Sequence, residues 1–180
     1  MQKRIAFFTL LILTLTTLVS AQMSEDKSKR PSPPAQAQCK LPDGKTITVD
    51  YSSPRMKGRK IYGGLVPYGK VWRTGANDAT TFVTDANLTV GGKDVPAGSY
   101  TIFTVPDQNK WPLIISKKTG EWGTDYPGEA NDLARVDMKS GATPSAVENF
   151  TVSFDQMGGG CTINLDWENT RAAVEIAEKR

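Results

Sequence analysis

VPAGSYTIFTVP, residues 95–106, decides the fold. Pro96, Ala97 and Gly98 make a turn, because proline presets φ and glycine accepts conformations closed to other residues. The run that follows alternates with period two, placing Tyr100, Ile102 and Thr104 on one face and Thr101, Phe103 and Val105 on the other. A strand apolar on both faces belongs in the middle of a sheet that is covered on each side. Tyr100, just past the turn, is placed to tie its hydroxyl to nearby backbone, as in the tyrosine corner of sandwiches.

The same short-period pattern extends in both directions. Upstream, Ala37, Cys39 and Leu41 share one face, Pro42-Asp43-Gly44 turns the chain, and Ile47, Val49 and Tyr51 share the next face. That is a hairpin signal. Thr80–Thr84 and Leu88–Val90 read as strands, with Gly91-Gly92 as a turn. Downstream, Trp111–Ser116 reads as another strand, and Leu133–Met138, Phe150–Phe154 and Cys161–Trp167 each alternate. Ala172, Val174 and Ile176 favour a final strand over a last helical turn. The expected fold is all-β: a single-domain antiparallel β-sandwich of about nine or ten short strands over residues 37–180.

A second stretch, VPYGKVWRTGAN at residues 66–77, carries the functional interest. Pro67 and Gly69 bracket a turn, Val71 and Trp72 start a short extended run, and Thr74–Asn77 turn again. Arg73 presents a planar fork of donors that matches a carboxylate or phosphate. Two readings follow. In one, Trp72, Arg73, Thr74 and Asn77, with Arg59, rim a pocket for a small anionic molecule or glycan. In the other, Trp72 plugs the core, Arg73 pairs with a structural carboxylate and Asn77 caps the turn, so the motif serves the fold of a cell-envelope structural or interaction module.

Together with YSSPRMKGRKIYGG at residues 51–64 and VPAGSYTIFTVP, this motif resembles the bacterial family known as domain of unknown function 2911. The likeness runs from about Cys39 to the C-terminus. It implies a secreted or periplasmic protein of one domain. The family brings no established activity, so its motif residues carry over as positions of interest and not as catalysts.

Residues 1–21 have the shape of a signal peptide: Lys3 and Arg4, an apolar run from Ile5 to Val19, and the small-residue triplet Val19-Ser20-Ala21. The protein is therefore expected to be exported, periplasmic or extracellular, with no transmembrane anchor after cleavage. Residues 22–36 are polar and proline-rich and are expected to form a disordered leader. Export permits a disulfide between Cys39 and Cys161.

The chain carries a formal net charge of +3, and Lys3 and Arg4 leave with the signal segment. A nearly neutral mature chain gives no reason to expect a nucleic-acid partner. The distribution is uneven: no acidic residue lies between Asp50 and Asp78, whereas Arg55, Lys57, Arg59, Lys60, Lys70 and Arg73 are basic. A local patch of this kind favours an anionic ligand.

The chain contains no histidine. That excludes Ser-His-Asp and Cys-His catalysis within it, and every histidine-ligated zinc or iron site. Two cysteines alone lack the spacing of a zinc site, so no metal or cofactor is expected. No complete catalytic motif remains, and no catalytic residue is assigned. A histidine-independent carboxylate hydrolase using Glu121, Asp125 and Glu129 beside Trp122 and Tyr126 is the remaining enzymatic reading. It requires two of those acids to face each other across a cleft. A Ser–Lys dyad from Ser52 or Ser53 with Lys57 or Lys60 is a weaker variant.

Overall fold

The computed structural model describes residues 26–108 and 110–179. The signal segment lies outside the described residues. Nine strands follow a turn of 3-10 helix at Lys27–Lys29: β1 Pro34–Lys40, β2 Thr46–Ser52, β3 Thr80–Thr84, β4 Leu88–Val90, β5 Lys93–Val95, β6 Gly98–Thr104, β7 Trp111–Ser116, β8 Asp132–Met157 and β9 Gly160–Glu178. All pair antiparallel in one open sheet, in the order β1-β2-β3-β6-β7-β8-β9-β4-β5. Strand β1 and the 3-10 turn start inside the stretch expected to be a leader.

The sandwich is one sheet folded over. Strand β8 belongs to both layers: Asp132–Met138 pair with β7, and the chain from Lys139 to Met157 pairs with β9. The first and last strands meet again across the fold, where Cys39 of β1 is joined to Cys161 of β9 by a disulfide. Ser53 Oγ donates to Phe150 O (2.7 Å), and Val152 N donates to the Tyr51 hydroxyl (3.1 Å) along the same seam.

Strand β6 matches its sequence pattern. It lies between β3 and β7, and its two faces enter different apolar clusters. Tyr100 and Ile102 pack in the large core between the layers, while Phe103 joins Ala79, Ile114 and Tyr126 on the outer side. The Tyr100 hydroxyl donates to Pro96 O at 2.9 Å, closing the turn before the strand. The β1–β2 hairpin has the expected register, with Cys39 opposite Ile47 and Ala37 opposite Val49.

Two expectations change. The runs Leu133–Met138 and Phe150–Phe154 are the two ends of the single 26-residue strand β8, so the strands are not all short. The stretch between them is mostly exposed and has no apolar alternation, because its backbone is held by β9 while its side chains face water. The register slips between Ala142 and Val147 and again before Thr151, and those irregularities bend the ribbon. The last segment is extended to Glu178, so the helical alternative for Ala172–Ala177 falls away.

The core is built around five aromatic rings. Trp72 stacks on Trp167 with centroids 5.9 Å apart and planes 19° apart. Phe150 meets both edge-on, and Tyr62 meets Trp72, Trp111 and Trp167 edge-on. Tyr62 and Trp72 come from neither layer. They belong to the long connection from Ser53 to Ala79, which carries no strand of its own and is stitched in by isolated bridges, Arg55 with Asn149 and Trp72 with Thr104 among them.

Candidate functional site

The motif at residues 66–77 closes one end of the core. Trp72 exchanges both backbone hydrogen bonds with Thr104 (2.8 and 2.9 Å), which extends β6 by a single bridge. Alternation then sends Trp72 and Thr74 inward and Arg73 the other way. Trp72 is buried, and its Nε1 donates to Gly75 O at 3.0 Å. Thr74 has no exposed surface, and its hydroxyl bonds the Thr104 hydroxyl at 3.2 Å.

The backbone here is strained. Thr74 and Asn77 both sit at φ +57°, a left-handed conformation that is a genuine outlier for a β-branched residue. The turn is held against that strain by Thr80 Oγ1 donating to Thr74 O (2.7 Å) and by the Trp72 indole. Between them, Gly75 approaches the β2 backbone closely. A Cβ there would stand 3.0 Å from Ser52 O and 3.1 Å from Thr80 Oγ1. Gly75→Ala is therefore expected to lower stability by about 1–3 kcal/mol. Chemical unfolding would measure it, and an unchanged midpoint would mean that the turn relaxes freely.

Asn77 faces inward. Its Nδ2 donates to Ser32 O (3.0 Å) and Ser52 Oγ (3.2 Å), tying the segment before β1 to the motif. Its carbonyl accepts from Gly123 N (3.1 Å), which seats the Trp122 loop beside it. Asn77 and Thr74 thus shape the site without lining it.

Arg59, Trp72 and Arg73 line one cavity of about 410 Å³, a volume in the range of small-molecule sites. Its cations are Arg59, Lys70 and Arg73, and among the described residues no acidic one lines it. Its apolar lining includes Pro54, Val66, Pro67 and Trp167. Ser32 and Thr124 add polar edges. Periodicity offers no signal for these two, since they reach the site only through Asn77 and the Trp122 loop.

Arg73 is the unusual member. It is half-buried, its Nε is wholly shielded from solvent, and that N–H has no acceptor among the described residues. Nor does a carboxylate of the described residues pair with it. Burial pulls its guanidinium below the ordinary arginine value. It stays charged at neutral pH all the same. The internal carboxylate required by a purely structural reading is not there among the described residues. Arg59 is exposed and fixed differently: its Nε donates to Met56 O (3.0 Å) and its Nη2 to Arg55 O (2.6 Å).

The acids of the Trp122 loop do not gather in one cleft. Glu121 pairs with Lys118 (3.3 Å) and lines a separate cavity of about 360 Å³ that contains neither Asp125 nor Glu129. Asp125 is exposed, and Glu129 is exposed and pairs with Arg135 (3.2 Å). Tyr126 donates to Asp132 (2.8 Å) and accepts from Arg135 (2.7 Å), which folds the loop back onto the sheet. Ser52 and Ser53 are buried, with Ser53 Oγ engaged by Phe150 O and Arg55 Nη1. Among the described residues, no group of three or more acidic or cysteine side chains could hold a metal ion.

A nine-stranded open sheet with a strained, cation-rimmed pocket at one end defines the class. The chain belongs to the family described as Protein of unknown function (DUF2911), which matches residues 32–176. Neither the curated proteins nor the solved structures contain a match to it.

Proposed function

We propose that this is an exported domain that binds a small anionic molecule or glycan in the Arg73 pocket. The observation that carries the reading is the charge of the lining: among the described residues it has three cations and no acid, and one of the cations is a half-buried arginine with no carboxylate partner. A half-buried guanidinium with no carboxylate partner among the described residues favours an anion, and the pocket that Arg73 lines is where one can approach it. Strain at Thr74 fits the same reading, since strained backbone collects at binding sites. The Cys39–Cys161 disulfide supports export, because such bonds persist in oxidising compartments. Among the described residues, no helix is long and apolar enough to cross a membrane.

The structural reading keeps part of the motif. Trp72, Thr74 and Asn77 hold the fold from inside, so one motif serves both purposes by facing two ways.

Arg73→Met keeps the aliphatic stem and removes the charge and donors. We expect the variant to melt at or above the wild-type temperature, because it removes an unsatisfied buried group and no ion pair. Citrate, phosphate and galacturonate are expected to raise the wild-type midpoint through binding to the folded state, and not that of the variant. A midpoint several degrees below wild type, with anion responses unchanged, would make Arg73 a strut and sink the proposal.

A further inference from the structure

We infer that the anion in the Arg73 pocket is one unit of an extended polyanion, an acidic oligosaccharide whose next charged group occupies the adjoining basic cavity. This rests on the anion-pocket reading above. The second cavity holds about 360 Å³ and is lined by Pro31, Ser32, Arg55, Lys57 and Arg59. It shares Ser32 and Arg59 with the first, so the two adjoin along those residues. It too has three cations and, among the described residues, no acid.

The absence of counter-charge is general along this stretch. None of Arg55, Lys57, Arg59, Lys60, Lys70 and Arg73 pairs with a carboxylate of the described residues, whereas most cations elsewhere do, Lys27, Lys45, Lys110, Lys118, Arg135, Arg171 and Lys179 among them, and only scattered lysines such as Lys40 and Lys93 do not. Glu148 does reach the run, but its carboxylate accepts the backbone N–H of Lys57 (2.8 Å) and leaves the ammonium free. Backbone carbonyls, which add no negative charge, fix the two arginines. Arg55 Nη1 donates to Ser53 O (3.0 Å), and Arg59 donates to Met56 O and Arg55 O. Each guanidinium has five N–H donors, so each retains several for a ligand. Lys57, which lines the second cavity, is held at φ +50°, a left-handed conformation that residues other than glycine, Asn and Asp seldom adopt.

The two cavities differ in a way that selects the ligand. The lining of the Arg73 pocket includes apolar residues, Pro54, Leu65, Val66, Pro67 and Val71 among them, which suits the carbon face of a sugar ring. The second is lined by Pro31, Ser32 and three cations, which suits the anionic group of a following unit. A compact inorganic anion would leave the apolar lining uncovered. A chain of sugar acids uses both, and joining two units turns the second contact into an intramolecular one.

The test is calorimetric titration of the full chain with galacturonic acid, digalacturonate and trigalacturonate. The trimer is expected to bind at least about tenfold tighter than the monomer, in keeping with linked binding of two sites. Lys57→Glu, an exposed substitution in the second cavity only, is expected to abolish that gain and leave monomer binding unchanged. Arg55→Gln provides a second variant there, with melting as the check on its fold. Equal affinity for monomer and trimer, or a gain that survives both substitutions, would overturn the inference while leaving Arg73-dependent binding of the monomer intact. A gain with tripolyphosphate and none with trigalacturonate would overturn the sugar assignment. No binding of any acid, with Arg73→Met indifferent, would remove the pocket reading as well.

Discussion

Replacing Cys39 and Cys161 together by alanine is expected to lower stability by about 4–5 kcal/mol and the melting midpoint by roughly 10–20 °C. The bond spans a sequence separation of 122 residues, so it removes a large loop from the freedom of the unfolded chain. It also joins β1, at one edge of the folded-over sheet, to the start of β9 in the other layer. Both cysteines are almost wholly buried. The double substitution is therefore a cleaner test than added reductant, which must wait for the fold to open. A variant that melts with the oxidised wild type would show that the seam between β1 and β9 is held by packing alone.

The second large effect is expected at Trp72. Trp72→Ala removes the ring that stacks on Trp167 and meets Phe150 at 5.0 Å and Tyr62 at 6.3 Å. It also frees Gly75 O, which the indole N–H now satisfies. Such a truncation costs about 3–5 kcal/mol, because the cavity left behind collapses only in part. The midpoint should fall by roughly 6–20 °C. Trp72→Phe retains a ring and removes the donor, and its expected cost is about 1–3 kcal/mol for the stranded carbonyl. If the two variants lose the same amount, the hydrogen bond to Gly75 dominates and the stacking contributes little. Trp72 also lines the Arg73 pocket, so the alanine variant should lose anion-induced stabilisation along with intrinsic stability.

Where an element's side chains meet apolar surroundings at regular spacing, its sequence already describes it. Strand β6 is apolar on two faces because two clusters flank it, and the Tyr100 hydroxyl finds Pro96 O because the turn brings it there. Strand β5 and the middle of β8 lack that spacing. Lys93 and Asp94 are exposed, and residues 139–149 are mostly so; hydrogen bonds to a neighbouring strand, β4 for the first and β9 for the second, make them strands. The site divides in the same way. The long run without acids between Asp50 and Asp78 foretells a basic wall, and composition alone carries that signal. That Arg73 lacks a carboxylate partner, or that Asn77 turns inward to hold Ser32, depends on which distant segments fold against the motif. No local pattern encodes those meetings.

The sharing of β8 between the layers has a consequence for how the molecule opens. A conventional two-sheet protein can let one sheet fray while the other persists. Here a single continuous backbone hydrogen-bonds to β7 at one end and β9 at the other, so neither layer can peel away without disturbing the other's ladder. Amide protons of Ile114 in β7 and Leu165 in β9, both wholly buried, should then exchange with deuterium at closely similar rates set by global opening. Faster exchange is expected only in the slipped stretch around residues 143–147, where the ladder is already interrupted.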